Sequence, residues 1–207
     1  MNWSHRTPPR RSNDESTEEI QKIISFGKPN DDSSDGNRIY FYQDVTRDSM
    51  LALNKQIDEA TKQAKIIQLS YNLAEPPPVE IHICSDGGEV YGAMASVDKI
   101  INNPVPIHTY CEGIVASAAT LISVVGAKRF ISKNSCMLIH QVTSGLWGNY
   151  MEFQDEIKNL DLIMKLIRNV YLKHTNYKPD ELDAILKHDL CLSAEECLKM
   201  GLVDKIQ

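Results

Sequence analysis

Three side chains in separate stretches of the chain could together perform acyl transfer. That chemistry needs a nucleophile, a base that takes its proton, a group that orients the base, and donors for the oxyanion. Ser117 is the only side chain in the small-residue run Ala116–Ala119 that can do chemistry. His140 ends the apolar segment SCMLIH, and Asp189 lies in KHDLCLS. These three residues are candidates for the nucleophile, the base and the orienting acid.

Two places offer backbone amides that could bind the oxyanion. The segment SDGG, residues 85–88, ends an alternating apolar and polar stretch. Its two glycines would let bare backbone N–H groups approach a substrate oxygen closely. The amide of Ala118 would be free to donate, because it stands at the start of a predicted helix. The fourth requirement of an acyl-transfer site therefore has candidates as well.

Each of these features also has an ordinary structural explanation. Ser117 could be a small residue where two backbones pack closely, His140 a structural hydrogen-bonding residue, and Asp189 a surface or capping acid. SDGG could be a turn between a strand and a helix, or a phosphate cradle. The nucleophile motif G-x-S-x-G is absent. The residues alone therefore leave a hydrolase as one possibility beside these.

The segments that must position these residues alternate between strand and helix. Strands are predicted at RIYFYQDV, VEIHIC, VPIHTYC, KRFIS and SCMLIH. Apolar residues at three- and four-residue steps predict helices after Thr46, from about Val90 to Asn102, at SAATLISVV, and from about Tyr150 to His174. Such alternation predicts an α/β domain with a largely parallel sheet.

The ends of several helices carry capping signals. Thr46 is a predicted N-cap, and Pro179 begins a short helix. Ser193 and Glu196 form the spacing of a capping box before the last helix, which is predicted to end at Gly201.

Length and composition restrict the class of protein. The 207 residues suit one domain, and the net charge of −6 disfavours nucleic acid as a partner. No apolar run reaches the roughly 18 to 20 residues of a membrane span. The five cysteines form no CxxC pair, which indicates reduced thiols in a cytoplasmic compartment. Residues 1–37 are predicted to be a disordered arm and linker, and the folded domain to span residues 38–207.

Three quoted segments together resemble the Clp protease proteolytic subunit family, ClpP. They are ICSDGGEVYGAMASVDKI, EGIVASAATLISVVGAKRFISKNSCMLIHQ and LSAEECLKMGLVD, and they occur in the family's order. The resemblance runs from about Arg38 to the C-terminus. It implies the ClpP/crotonase-like fold, a spiral of β-β-α units with a protruding handle helix over residues 150–174.

The resemblance implies a role for each candidate residue. Ser117 would attack the peptide carbonyl, and His140 would take its proton and pass it to the leaving amine. Asp189 would hold the imidazole, and the amides of Gly88 and Ala118 would form the oxyanion hole. No metal and no cofactor are implied, and the product would be short peptides.

The resemblance also implies an assembly. Members form rings of seven that pair through the handle helix, and they receive unfolded protein chains from a ring-shaped, ATP-driven unfoldase. Residues 143–150 would line the substrate channel. A handle helix should expose apolar side chains in the monomer, because they would be buried only on assembly.

The chain departs from the family pattern at several positions. Asp86 replaces the usual proline of S-P-G-G, and His188 replaces the arginine that usually precedes the triad aspartate and couples the rings. The unfoldase-docking pockets are commonly aromatic. In this chain three of these positions are not aromatic, namely Glu80, His82 and Asn102. One aromatic residue, Phe130, remains. An unusual partner or mixed rings are therefore expected alternatives.

Two other functions remain open on the sequence. One is a non-catalytic ring subunit that modulates an active partner, although such relatives normally lack a triad member. The other is an enzyme of the related crotonase fold, which binds acyl-CoA thioesters with the same pair of amides.

Overall fold

The computed structural model describes residues 34–207, so the predicted arm lies outside the described residues as far as residue 33. Within this range the chain forms eight strands and six helices. The strands are β1 (Ser34–Asp35), β2 (Arg38–Phe41), β3 (Val79–Ser85), β4 (Ile107–Ala116), β5 (Lys128–Ile131), β6 (Cys136–Leu138), β7 (Cys191–Ser193) and β8 (Lys205–Ile206). The helices are α1 (Arg47–Ser70), α2 (Val90–Ile101), α3 (Ala118–Val124), α4 (Tyr150–His174), α5 (Pro179–Ile185) and α6 (Ala194–Lys199).

The strands form one sheet of the largely parallel kind that the sequence predicts. The order is β1-β2-β3-β4-β5-β8, with β6 paired to β4 and β7 paired to β6. Only the β1–β2 and β6–β7 pairs are antiparallel among the described strands. The ten residues of β4 pair first with β5 and then, from Ile114 to Ala116, with β6. The C-terminal end of β4, at Ala116, therefore leads directly into Ser117.

The edges of the predicted strands differ from those observed. RIYFYQDV is a strand only over Arg38–Phe41. After Phe41 the strand pairing is interrupted, and it returns only at Val45, which forms a single parallel bridge with Gly88: the Val45 amide donates to the Gly87 carbonyl and the Val45 carbonyl accepts from the Glu89 amide. At the other side, β1 pairs with β2, so the sheet begins at Ser34, ahead of the predicted start at Arg38.

The core lies against one face of this sheet. Alternation along β3 buries Val79, Ile81 and Ile83 and leaves the side chains between them half-buried. The face of α1 that carries Met50, Leu53 and Ile57 is likewise buried. Every residue of α3 is buried, which explains why the sequence there shows no amphipathic period.

The predicted helix caps are confirmed. Thr46 accepts a hydrogen bond from the Ser49 amide at the start of α1, and Pro179 is the first residue of α5. Ser193 and Glu196 form a reciprocal capping box at α6. That helix ends at Lys199, two residues before Gly201.

The long helix α4 begins and ends where the sequence predicts. The buried residues of its apolar stripe all lie in the second half of the helix, and they are Ile163, Ile167 and Tyr171. In the first half Phe153 is 45% exposed and Ile157 is 58% exposed. The C-terminal end of α4 is held by Arg129, whose guanidinium donates to the His174 carbonyl. No helix within residues 34–207 has the length and apolar character needed to cross a bilayer.

Candidate active site

Ser117 stands at a strained turn between β4 and α3. Its backbone has φ 54° and ψ −127°, and Asn72 is the only other non-glycine residue of the described chain with positive φ. A non-glycine residue in that region costs about 1–3 kcal/mol and persists only where its surroundings impose it. The Ser117 amide donates to the Leu138 carbonyl over 2.8 Å, which ties the turn to β6. The strained turn leaves Ser117 only partly buried.

Two residues that sequence reasoning missed support the turn from below. The Thr120 hydroxyl donates to the Ser117 carbonyl over 2.6 Å and also contacts the Tyr171 hydroxyl at 2.5 Å. Tyr171 is 1% exposed, and burial raises the pKa of its phenol. A threonine three residues after the candidate nucleophile was a visible signal, because its hydroxyl can bond to a carbonyl one turn back. Tyr171 gave no such signal, because it is distant in sequence.

His140 and Asp189 are brought together by the short antiparallel pair of β6 and β7. In that pair Met137 lies opposite Leu192, and Leu138 lies opposite Cys191. Continuing the same register by two residues places His140 opposite Asp189. His140 therefore lies just after β6, within the segment that the sequence predicts as a strand. The register of β6 and β7 holds it beside Asp189.

The three candidate side chains form a continuous hydrogen-bonded line. His140 Nε2 lies 2.8 Å from Ser117 Oγ, and His140 Nδ1 lies 2.8 Å from Asp189 Oδ1. An ionised carboxylate can only accept hydrogen bonds, so Nδ1 is the donor to Asp189. Nε2 is then left to accept the Ser117 hydroxyl proton, which is the tautomer a general base requires. The Asp189 side chain is 78% exposed, and His140 is 25% exposed.

The two candidate oxyanion amides line the same cavity as Ser117 and His140. The cavity has a volume of about 170 Å³, and Gly88 and Ala118 both contribute to its wall. Ala118 is the first residue of α3, so its amide has no acceptor within that helix. Gly88 has φ +141°, and a Cβ there would lie 2.2 Å from the Val45 carbonyl oxygen. Only glycine fits at this close backbone approach.

Gly87 is required for a different contact. Its φ is +100°, and an added Cβ would lie 2.6 Å from the Ser117 Cβ and 2.7 Å from the Ala116 carbonyl oxygen. The glycine turn therefore packs directly against the backbone that presents Ser117. Asp86, the unusual acid of this turn, is exposed to solvent.

The rest of the cavity is mainly apolar. Residues of α2, of α3, of the segment after His140 and of α4 complete its wall: Val90, Leu121, Gln141, Val142, Thr143, Ile167 and Tyr171. A cavity with this wall fits an apolar side chain of moderate size next to the Ser117 hydroxyl.

Three of the four implied docking positions, Glu80, His82 and Phe130, lie together on the outer face of the sheet. The His82 ring stacks between Tyr40 and Tyr110 at 4.9 and 4.6 Å, and Tyr110 stacks on Phe130 at 4.7 Å. His82 Nδ1 lies 2.8 Å from a Glu112 carboxylate oxygen.

Glu80 lies beside this stack and accepts a hydrogen bond from Arg38 Nε over 2.7 Å. Asn102 lies apart from the stack at the end of α2, where its amide donates to the Asp98 carbonyl. Tyr40 and Tyr110 thus supply part of the aromatic surface that the family pattern leads one to expect. The carboxylates of Glu80 and Glu112 lie beside it.

Comparison with known proteins agrees with these features. The family model described as Clp protease matches residues 33–207. A curated relative from Deinococcus radiodurans, named ATP-dependent Clp protease proteolytic subunit, is 28% identical over 176 residues, which cover 83% of this chain and 86% of the relative. The mixed α/β architecture with its parallel sheet is consistent with that family. The chain therefore belongs to the Clp protease family and is a serine-type peptidase of the ClpP type.

Proposed function

We propose that the chain is an active ClpP-type endopeptidase in which Ser117, His140 and Asp189 form the catalytic triad. His140 Nε2 takes the Ser117 proton while Oγ attacks the peptide carbonyl carbon. The imidazolium, oriented by Asp189, then protonates the leaving amine, and an acyl-enzyme remains. Water deprotonated by His140 attacks that ester, the Oγ–carbon bond breaks, and the imidazolium returns the proton to Ser117 Oγ as the second peptide leaves with a new carboxyl end.

One observation carries this proposal. Ser117 has a strained backbone, and its hydroxyl lies 2.8 Å from His140 Nε2. The other ring nitrogen of His140, Nδ1, lies 2.8 Å from Asp189 Oδ1. A small packing serine would need neither the positive φ nor an aligned base. A crotonase-type thioester enzyme would need the two amides but not the serine, histidine and aspartate together.

The amides of Gly88 and Ala118 are proposed to bind the oxyanion of the tetrahedral intermediate. Both line the cavity that Ser117 enters, which supports this assignment. Loss of one such donor typically lowers the rate about 10²–10³-fold. The apolar wall of the cavity further supports a preference for substrates with an apolar residue before the cleaved bond.

The protein is further proposed to form two stacked heptameric rings that enclose its active sites in a chamber. An ATP-driven unfoldase would supply this chamber with unfolded chains. The exposed apolar residues on the first half of α4 support a role for this helix as the handle that joins the rings. Ile157, for example, is 58% exposed although it belongs to the apolar stripe. Such a stripe is expected to become buried when another copy packs against it.

Labelling with a fluorophosphonate tests the catalytic assignment. The expected result is one modified peptide that contains Ser117 in the wild type and in Ser70→Ala, a control at an exposed serine on α1. Labelling should be lost in Ser117→Ala and strongly reduced in His140→Ala, with cleavage of a fluorogenic peptide lost in both. An assembled wild type that resists labelling would contradict the proposal and favour a non-catalytic ring subunit.

Native mass spectrometry tests the assembly. Ile157→Glu should shift the protein from double rings to smaller species. Ile66→Glu is the matched control, because Ile66 is 53% exposed on α1. Double rings that persist in Ile157→Glu would contradict the role proposed for α4.

A further inference from the structure

Two cysteines share one face of the strand pair that positions the candidate base and acid. Cys136 lies on β6 and Cys191 on β7, two residue positions apart along the ladder, since Cys136 is opposite Ser193 and Cys191 is opposite Leu138. The residues between them, Met137 and Leu192, point into the core and are buried. The two thiols therefore lie on the outer side of the pair as diagonal neighbours.

Both thiols of this pair can be reached, and they interact. Cys191 is exposed and Cys136 is partly buried. Burial, and then the neighbouring Cys191 thiol, raises the pKa of Cys136 above its usual value. Cys111 and Cys197 differ from this pair, because burial raises the pKa of each to about 12. Thiols of that kind are poor nucleophiles. Within the pair, Cys191 is the better attacking group because it is the more exposed thiol.

We propose that Cys136 and Cys191 are a redox modification site, at which a low-molecular-weight disulfide oxidises the two thiols to an intramolecular disulfide. The Cys191 thiolate attacks one sulfur of the oxidant, forms a mixed disulfide and releases one thiol. The Cys136 thiolate then attacks the Cys191 sulfur and releases the second thiol. Two cysteine thiols and one disulfide thus give one protein disulfide and two small thiols.

The bond would act on the register that aligns His140 with Asp189. Diagonal neighbours in an antiparallel pair are separated by about 7–8 Å, whereas a disulfide needs Cα atoms within about 4.4–6.8 Å. Closing the bond must therefore draw β7 along β6 by about 1–2 Å. β7 has three residues and pairs only with β6 among the described strands, so it offers little resistance.

Asp189 precedes Cys191 by two residues and moves with it. A displacement of about 1 Å in a catalytic group can lower a rate about 10²-fold. The disulfide is therefore an inhibitory switch. This consequence for activity depends on the proposed function, whereas formation of the bond does not.

The experiment treats the full-length assembled protein with excess oxidised glutathione, blocks remaining thiols by alkylation and maps peptides by mass spectrometry. The expected product is a peptide pair joined at Cys136 and Cys191 that has lost two hydrogen atoms. Peptidase activity should fall about 10- to 100-fold and return with dithiothreitol. Cys136→Ser and Cys191→Ser should keep their activity in the oxidant, whereas Cys84→Ser, a control at a partly exposed thiol on β3, should still lose it.

Three outcomes would overturn the inference. They are a mixed disulfide that stays on Cys191, a disulfide between two chains, and a linked pair with unchanged activity. Failure of the proposed function is a separate result, because the reduced protein would then lack peptidase activity while the peptide map would still show whether the two cysteines join.

Discussion

A methyl group added at Gly87 should lower the peptidase activity through the backbone of Ser117, the proposed nucleophile. In Gly87→Ala the new Cβ would lie 2.6 Å from the Ser117 Cβ and 2.7 Å from the Ala116 carbonyl oxygen. Carbon atoms in contact settle at about 3.5–4.0 Å, so the turn that carries Ser117 must move by about 1 Å. His140 would follow this movement only in part, because β6 also pairs with β7 and His140 Nδ1 is bonded to Asp189.

The expected magnitude has a kinetic part and a stability part. A displacement of about 1 Å corresponds to a loss of about 10²-fold in kcat/KM, or about 2.7 kcal/mol of transition-state stabilisation. An alanine at φ +100° also strains the backbone by about 1–2 kcal/mol. Overpacking adds about 1–3 kcal/mol, so the free energy of unfolding should fall by about 2–5 kcal/mol in all.

Two assays separate these parts. Cleavage of a fluorogenic peptide gives kcat/KM, and urea unfolding followed by circular dichroism at fixed protein concentration gives the free energy of unfolding. Gly36→Ala is the matched control, because Gly36 has φ +63° but an added Cβ would meet no atom within 4 Å. It should lose about 1–2 kcal/mol of stability with kcat/KM unchanged. If Gly87→Ala kept the kcat/KM of Gly36→Ala, the packing argument for the nucleophile turn would be refuted.

Three further predictions concern the orienting acid, the buried support of Ser117 and a half-buried histidine at the end of α4. Asp189→Asn should lower kcat about 10²–10⁴-fold by favouring the wrong imidazole tautomer. Its free energy of unfolding should change by less than about 0.5 kcal/mol, because the side chain is 78% exposed. A fall in activity that is accompanied by a fall of several kcal/mol in the free energy of unfolding would contradict this. Tyr171→Phe should cost about 1–3 kcal/mol in urea unfolding, because it removes the buried hydrogen bond to Thr120. Thr120→Val should cost less in this background than in the wild type, because only its bond to the Ser117 carbonyl is then left to lose. Burial lowers the pKa of His174, so protonation favours the unfolded chain and stability should fall as the pH drops below about 6.5. His174→Gln should flatten the pH dependence between about pH 7 and pH 5, and an unchanged slope would count against this cause.

The features that sequence reasoning predicted well are those set by neighbouring residues. The bounds of α4 follow from its apolar period, and the caps at Thr46, Pro179 and Ser193 follow from side chains that bond within one turn. The segments quoted for the family resemblance lie at the ends of strands, where a parallel sheet gathers functional residues. The alternation of strand and helix was enough to predict a parallel sheet.

The features that it could not predict depend on contacts between distant segments. β7 has three residues, too few for a period, and it is a strand only because β6 lies beside it. The contact of Tyr171 with Thr120 joins residues 51 positions apart, and a tyrosine on a helix gives no sign of such a contact. The single bridge that Val45 forms after the end of β2 depends on the glycine turn at Gly88, which lies more than 40 residues away.

The β6–β7 ladder has a consequence for how this protein can be altered. His140 and Asp189 lie at the two ends of a long excursion through α4 and α5, yet their separation is set by strand register and not by the length of that excursion. Residues added within the excursion should leave the hydrogen bond between them intact. A single residue added between Asp189 and Ser193 would instead turn alternate side chains to the opposite face. Evolution and engineering can therefore change the length of the excursion outside the contacts of α4, while the few residues after Asp189 must keep their number.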